Sequence, residues 1–465
     1  GKSKANYLSE IVAERYREII YKKASRLYIP RQKQTRTKSP FAFPPSSHHF
    51  RSSDHCSGVE STKQQQMECT NLIISLILIE EEEENKNEER NQRRRERWAG
   101  LSVRERDERT RSIPRLSLPQ PHQSPWNIAY HSKSERALIT LTGLNHDAFE
   151  KLHLAFGPLF WAHTPYSDDG SIRCTNETER RGRPRKISSH ACLGLVLMWS
   201  RTTCQYWVLS GSFGLVGTCC GLWLRFGKRI LLTVLSSRPD SQVKLPTAEK
   251  VNCYREAIEN RYPMLKNVAS VGDGLKILLQ KAGDDQTQEA FYNGWKSGHY
   301  ITNLFVFAPD GTIIMSMINC PGSMHDSELA ASGSPSIYTK IDILFEDYGV
   351  KCVMDSAFAN ANKPSIIKSK KRETIASSAE SREEFEELMG ALSVRQAAEW
   401  GMRALQGAFG RLKAVWPYEE KDERYWGLAL ISLLYNFSAN NMDLNQIRNV
   451  YWKELYGNNN NNNDA

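Results

Sequence analysis

The sequence predicts a mixed α/β protein in which helices cover a sheet. After residue 266, short apolar runs of strand length alternate with longer runs of helical spacing. The turn signal Pro309-Asp310-Gly311 joins two of the strand-like runs and is typical of a hairpin. Before residue 266 the apolar spacing is helical, and the chain begins with charged and Pro/Ser-rich blocks. We therefore expect a low-complexity start, a helical region and a mixed α/β region.

Residues 1–135 are predicted to be largely disordered. Blocks such as EEEENKNEERNQRRRERW and SIPRLSLPQPHQSP cannot bury enough apolar surface to offset the entropy of ordering. The Asn-rich tail, residues 456–465, is expected to be disordered for the same reason. The whole chain has 465 residues and a formal net charge of +9, a modest excess that is compatible with a polyanionic partner.

The apolar runs and the cysteines bear on the class of protein. The longest apolar runs, residues 72–79 and 193–199, are too short to cross a bilayer, so no membrane partner is expected. No secretory signal pattern is visible at the start. The ten cysteines form no CxxC pair or zinc-finger spacing. These features indicate an intracellular protein with reduced thiols.

Residues 136–265 are predicted to form a helical, DNA-contacting domain. Its first helix has Asn145 or Asp147 as the expected cap. The Trp-rich helices at 193–230 are apolar, which favours a packed support over a helix-turn-helix. Within this region lies the basic linker 180–186, RRGRPRK. Its candidate DNA contacts are Arg181, Arg183, Arg185 and Lys186.

Two interpretations of the basic linker remain open. Its Gly-Arg-Pro core resembles an AT-hook, which lies in an A·T-rich minor groove. Alternatively, the linker contacts phosphates without sequence preference.

Residues 266–455 are predicted to form the mixed α/β domain. Its elements are apolar strands that run up to Asp273 and to Asp355, a hairpin at 299–322, and helices from Asp326 or Ser327, at 381–413 and at 425–447. Within the second long helix, the stretch 398–413 carries a polar stripe that begins with Glu399. The stripe alone has a plain explanation as the solvated face of a surface helix.

Two aspartates end apolar strands and are candidates for catalysis. Asp273 is followed by Gly274, and Asp355 by Ser356. Each alone could be an ordinary strand-end carboxylate. Two carboxylates held side by side repel each other unless a divalent cation bridges them, and Mg²⁺ suits such a site. With Glu399 on a neighbouring helix, the set predicts a two-metal site for phosphoryl transfer.

These motifs, in this order, resemble the DDE endonuclease domain of PIF/Harbinger-type transposases. The resemblance covers about 267 to 450. It rests on Gly272-Asp273-Gly274, on the run from Gly322 to Ser327, on the motif that starts at Asp355, and on AFGRLK at 408–413. It implies an RNase H-like core, Mg²⁺ or Mn²⁺ as the cofactor and cleavage and transfer of DNA phosphodiester bonds. A nuclear location, a separate DNA-binding partner protein and a homo-oligomer are further expectations.

One departure from the family pattern keeps two alternatives open. The family usually places its glutamate three residues before the Phe-Gly, where this chain has Gln406. Either Glu399 reaches the metals instead, or the third carboxylate is lost and the protein is a domesticated, inactive binding module.

Two interpretations also remain open for several other charged residues. Asp326 is either a metal ligand or a helix N-cap. Lys370, Lys371 and Arg372 contact the DNA backbone or belong to a solvated loop.

Overall fold

A computed structural model describes Glu89 and residues 113–165, 173–174, 185–283, 285–358, 363–379 and 381–456. Residues 113–456 belong to one compact unit. Residues 1–112 and the tail, which were predicted to be disordered, lie outside the described residues, except for Glu89 and Tyr456. Arg181 and Arg183 also lie outside them.

Residues 113–135 correct part of the predicted disordered segment, because they are ordered and pack on the core. The decisive side chain is Trp126, which is only 2% exposed. Its ring lies directly against Gly194, where a Cβ atom would come within 2.2 Å of it. The polar composition of the segment predicted that the entropy cost of ordering would dominate. Burial of a large aromatic side chain against a glycine offsets that cost.

Among the described residues, seven helices precede the main sheet. They are α1 Pro125–His131, α2 Glu135–Thr142, α3 His146–Ala162, α4 Ser189–Arg201, α5 Tyr206–Phe213, α6 Gly217–Ser237 and α7 Ala248–Arg261. A short two-stranded ribbon, β1 His163–Thr164 and β2 Arg173–Cys174, follows α3. The predicted cap of α3 is confirmed at Asn145, whose side chain accepts a hydrogen bond from the Ala148 amide.

The main sheet contains six strands. They are β3 Val268–Leu278, β4 Tyr292–Asn293, β5 Gly298–Phe307, β6 Ile313–Pro321, β7 Lys351–Asp355 and β8 Ile366–Ser369. The strands β5 and β6 form the predicted hairpin, whose turn contains Gly311 at a φ of 84°. In that turn, the buried Asp310 accepts hydrogen bonds from the amide and hydroxyl of Thr312.

The order of the strands confirms the predicted fold class. Across the sheet the order is β6-β5-β3-β7-β8, with the short β4 also paired to β5. The pairs β3–β5 and β5–β6 are antiparallel, whereas β3–β7 and β7–β8 are parallel. This is a mixed, RNase H-like sheet. Its parallel half brings the carboxyl ends of β7 and β8 to the same edge.

The remaining helices cover both faces of the sheet. They are α8 Asp285–Phe291, α9 Asp326–Ala331, α10 Ile337–Tyr348, α11 Arg372–Ser378, α12 Arg382–Ala408, α13 Lys421–Asn441, α14 Gln446–Tyr451 and α15 Lys453–Tyr456. One core cluster joins α12, α13 and the helices before residue 238 to one face of the sheet. A second cluster joins α7, α9 and α10 to the other face. The helices before residue 265 thus share their cores with the sheet.

The long helix α12 packs across β3, β7 and β8. It ends at Ala408, so the predicted helix at 381–413 is too long. A separate 3-10 turn, Gly410–Lys413, follows it. At this point the backbones of Gly410 and Arg201 approach each other closely, since a Cβ on Gly410 would lie 2.4 Å from the Arg201 carbonyl oxygen. Arg411 then donates hydrogen bonds to the carbonyls of Trp199 and Cys204. The FGRLK motif therefore fastens the end of α12 to α4.

Two further observations concern the predicted class of protein. Seven cysteines in the described part of the chain have free thiols. In the described part of the chain, no single helix is long and apolar enough to cross a membrane. The pair α5 and α6, bent by 91°, passes that test together by length and composition.

Candidate active site

Asp273 and Asp355 lie side by side on neighbouring parallel strands. Gly272 of β3 is in register with Met354 of β7, so the next residue on each strand is an aspartate. Strands paired in this way lie about 4.8 Å apart, and residues in register point to the same face. The predicted pair of carboxylates is therefore brought together by the register of β3 and β7. Only Asp355 ends its strand; the prediction that Asp273 does so is wrong, because β3 continues in register with β5 to Leu278.

The two aspartates share the face of the sheet on which α12 packs. Side chains alternate along a strand, so Asp273 points the same way as Val271, and Asp355 the same way as Val353. Both valines belong to the core cluster that contains the buried side of α12. The carboxylates therefore lie beneath this helix.

Each aspartate is held by the amide that follows it. The Gly274 N–H donates to Asp273 Oδ1 at 2.7 Å, and the Ser356 N–H donates to Asp355 Oδ1 at 2.8 Å. These bonds orient both carboxylates in the same manner. A carboxylate offers about four lone-pair positions, so both groups keep the capacity to accept further ligands.

Burial raises the pKa of the Asp273 carboxyl to about 6. The amide of Gly274 counters this shift, repulsion by Asp355 adds to it, Arg395 opposes it, and Asp326 adds a smaller increase. A cation at the site would lower this pKa again, because it favours the ionised form. The electrostatics of the pair thus favour the binding of a positive ion.

The donor set of this pair fits a hard divalent cation. Mg²⁺ commonly takes one or two carboxylates and keeps several waters, and Mn²⁺ accepts the same oxygen ligands. In the described ranges, no three His, Cys, Asp or Glu side chains are grouped so as to hold a metal ion. The fit therefore rests on Asp273 and Asp355 as a pair.

Asp326 approaches the site from the other face of the sheet. Its carboxylate lies against Gly274, with Oδ1 3.4 Å from the position that a Cβ atom would take there. This oxygen is buried and has no hydrogen-bond partner among the described residues. The open N-cap alternative is wrong, as is Ser327, because His325 precedes the helix in extended conformation and Asp326 is its first residue. Asp326 contributes negative charge beside Asp273.

Glu399 is engaged with two arginines of its own helix. Its carboxylate lies 3.0 Å from Arg395 Nη2 and 3.9 Å from Arg403 Nη2. Arg395 is the more enclosed partner, since its side chain is 24% exposed against 78% for Arg403. A place for Glu399 in the metal site stays a prediction. Sequence reasoning missed Arg395, although its spacing of four residues from Glu399 is the signal of a helical ion pair.

The basic candidates differ in their surroundings. Arg185 donates to the backbone carbonyls of Phe160 and His163 and lies over the rings of Phe160 and Trp161. These contacts hold the end of α3, and a DNA contact by Arg185 stays a prediction. Lys186 is exposed.

A second basic segment follows β8. It consists of Lys370, Lys371 and Arg372, which we call the post-β8 cluster. The last two are exposed, and Lys371 is the N-cap residue of α11. Because β7 and β8 are parallel, the cluster lies at the sheet edge where Asp355 ends β7.

Part of the chain, including both aspartates, is similar to a known family of enzymes. Residues 272–433 match the DDE superfamily endonuclease family. The DDE region, as we call this range, contains Asp273, Asp326, Asp355 and Glu399. The match supports a transposase-like nuclease in general, and such domains generally use divalent metals.

Two solved structures are similar to parts of the chain. A crystal structure of a pre-cleavage Mos1 transpososome is 12% identical, covers 70% of this chain and 97% of its own, and has a TM-score of 0.18. A Mos1 transposase paired-end complex with left transposon end is also 12% identical, covers 51% and 83%, and has a TM-score of 0.14. No curated protein matches the chain.

Proposed function

We propose that the protein is a divalent-metal-dependent DNA endonuclease of the PIF/Harbinger transposase type. One observation carries the proposal: Asp273 and Asp355 lie side by side, on one face of the sheet and beneath α12, within the DDE region. Its substrate would be a DNA phosphodiester, and the reaction would be hydrolytic nicking followed by strand transfer.

The roles of the site residues follow from their chemistry. Asp273 and Asp355 would hold Mg²⁺ or Mn²⁺, which when bound supplies Lewis-acid activation of water and of the phosphate. The amides of Gly274 and Ser356 keep the two carboxylates oriented. The post-β8 cluster would contact the DNA backbone at the same edge of the sheet.

The predicted second metal ion needs a third carboxylate from α12. Glu399 would supply it only by giving up its contact with Arg395, the shorter of its two ion pairs. We also propose, on the resemblance, a nuclear location, a homo-oligomer and a separate DNA-binding partner protein.

Nicking of supercoiled plasmid by the full chain tests this function. With Mg²⁺ or Mn²⁺ the wild type should nick, and Asp273→Asn and Asp355→Asn should each reduce the rate at least a hundredfold. Asp347→Asn removes an exposed aspartate on α10 and should leave the rate unchanged. Equal nicking by the wild type and Asp273→Asn would rule out the assignment.

A second candidate function is DNA binding by a catalytically inactive relative. The contact of Glu399 with Arg395 and the neutral Gln406 favour it, because the carboxylate of α12 that was predicted to bind a metal is then paired with a guanidinium. In the same assay this protein would bind the plasmid but fail to nick it with either ion. Metal-dependent nicking by the wild type would exclude this candidate.

A further inference from the structure

A tryptophan stands in solvent in the turn between β4 and β5. This turn, residues 294–297, is called the hairpin tip below, and its Trp295 is 94% exposed. We propose that the hairpin tip binds an unpaired DNA base by stacking it on the ring of Trp295. The inference rests on the proposed nuclease function and deepens it, because it names a DNA structure that the protein would recognise beside the site of cleavage.

The exposure of Trp295 sets it apart from the other aromatic residues that the structure describes. The next most exposed aromatic side chains are Tyr206 at 53% and Tyr425 at 46%. Large aromatic side chains contribute most of their energy when they are buried in a core or an interface. Nearly all of the apolar surface of Trp295 is therefore available to a ligand.

The turn that carries Trp295 is held in place by Asn293. The side chain of Asn293 is buried, and its oxygen accepts a hydrogen bond from the Lys296 N–H at 3.0 Å. Its amide group donates to the carbonyl of Gly322 at 2.7 Å. A turn that is already ordered loses little conformational entropy when a ligand binds. The backbone beneath the ring is thus prepared for binding.

The groups next to the ring match the chemistry of a nucleic acid strand. Lys296 is exposed, and its Nζ lies 5.9 Å from the centroid of the Tyr300 ring. Residues 290–300 include this lysine and one histidine but no acidic residue, and the exposed acids Asp285 and Glu289 precede them on α8. Proteins that bind unpaired strands combine an aromatic platform for the bases with cations for the phosphates. The hairpin tip supplies one of each.

The strand register sets the distance between the hairpin and the two aspartates. Asp273 and Asp355 follow a residue pair that is in register, and β3 continues beyond Asp273 to Leu278. The next residue, Leu279, donates its N–H to the carbonyl of His299 at the base of the hairpin. Six residues of strand span about 20 Å, the length of about six base pairs. DNA bound at the aspartates would reach the hairpin about six base pairs away.

Stacking on Trp295 requires a base whose face is uncovered. Inside a duplex, neighbouring base pairs cover both faces of each base, and removing a base from the stack costs free energy. An unpaired base avoids that cost. A phosphate is present in both kinds of DNA, so Lys296 should contribute to the binding of both. Trp295 should instead give a preference for unpaired bases.

Binding of the full chain to fluorescent DNA in EDTA tests the inference without cleavage. One probe is a fully paired duplex, and the other is the same duplex with unpaired thymines at one end. Trp295→Ala should weaken binding to the unpaired probe about tenfold and binding to the paired probe by no more than about twofold. Trp295→Tyr keeps a ring and should restore most of the affinity.

Two further measurements separate stacking from charge. Lys296→Gln should weaken binding to both probes and lower the log–log salt slope by about one, whereas Trp295→Ala should leave the slope unchanged. The fluorescent base 2-aminopurine, placed in the unpaired segment, should lose fluorescence when the wild type binds, because stacking quenches it. With Trp295→Ala the fluorescence should remain.

The matched control is Tyr348→Ala. Tyr348 is also an exposed aromatic residue, but it ends α10 before β7 begins, at the opposite end of that strand from Asp355. This variant should bind both probes as the wild type does, and thermal unfolding checks that each variant keeps the fold.

A wild-type preference for the unpaired probe that persists in Trp295→Ala would overturn the inference and leave the nuclease proposal standing. If that variant also forms a smaller oligomer in light scattering, the hairpin tip is an interface between copies of the chain. Failure of the wild type to bind either probe would overturn both proposals.

Discussion

Replacing Asp273 by asparagine should stabilise the metal-free protein while it removes nicking. The pKa of this carboxyl is raised from 3.8 to about 6, chiefly by burial. The folded protein therefore binds the proton more tightly than the unfolded chain does. Protonation of Asp273 therefore contributes to the stability of the folded protein. This contribution is fully present below about pH 4 and is lost as the pH rises through about 6.

The size of this stability difference follows from the same two pKa values. One pKa unit corresponds to about 1.4 kcal/mol, so the ionised carboxylate costs up to about 3 kcal/mol at pH 8. Partial solvent access at this half-buried position reduces the cost, and about 1–3 kcal/mol is the expected gain for Asp273→Asn. The asparagine oxygen can still accept the hydrogen bond of the Gly274 amide.

Urea unfolding with EDTA at pH 5 and pH 8 measures this effect. The stability difference between Asp273→Asn and the wild type should be larger at pH 8 than at pH 5, and added Mn²⁺ should stabilise only the wild type. Asp347→Asn, an exposed carboxylate, serves as the control. A variant less stable than the wild type at pH 8, or a difference independent of pH, would refute the reasoning.

Three further predictions concern packing and DNA affinity. Gly401→Ala places a Cβ 2.8 Å from the Phe307 ring and should destabilise by about 1–3 kcal/mol in urea unfolding, whereas Gly407→Ala, which meets nothing within 4 Å, should not destabilise. Arg411→Met leaves two carbonyls unpaired and should cost about 1–3 kcal/mol by the same measurement. Replacing the whole post-β8 cluster by glutamine should weaken DNA binding in fluorescence anisotropy and flatten its log–log salt slope by up to about three. An unchanged slope would show that the cluster makes no phosphate contact.

The sequence by itself determined the elements and the principal pair of carboxylates. Short apolar runs of strand length predicted β3 and β7, the Pro-Asp-Gly signal predicted the β5–β6 hairpin, and Asn145 or Asp147 was expected to cap α3. Asp273 and Asp355 were recognised because each ends an apolar run before a small residue. All of these signals are local, since they depend on backbone preferences within a few residues.

Only the tertiary structure decided which charges meet. The aromatic ring of Phe160 on α3 lies against Arg185. Asp326 lies against Gly274, and because side chains alternate along β3, it is on the face of the sheet opposite Asp273. On α12, Glu399 is paired with Arg395, a residue that the sequence analysis had not singled out. The contacts of Arg185 and of Asp326 join separate segments of the chain. They depend on strand register and on the side of a helix that is buried, and neither is encoded within a single local pattern.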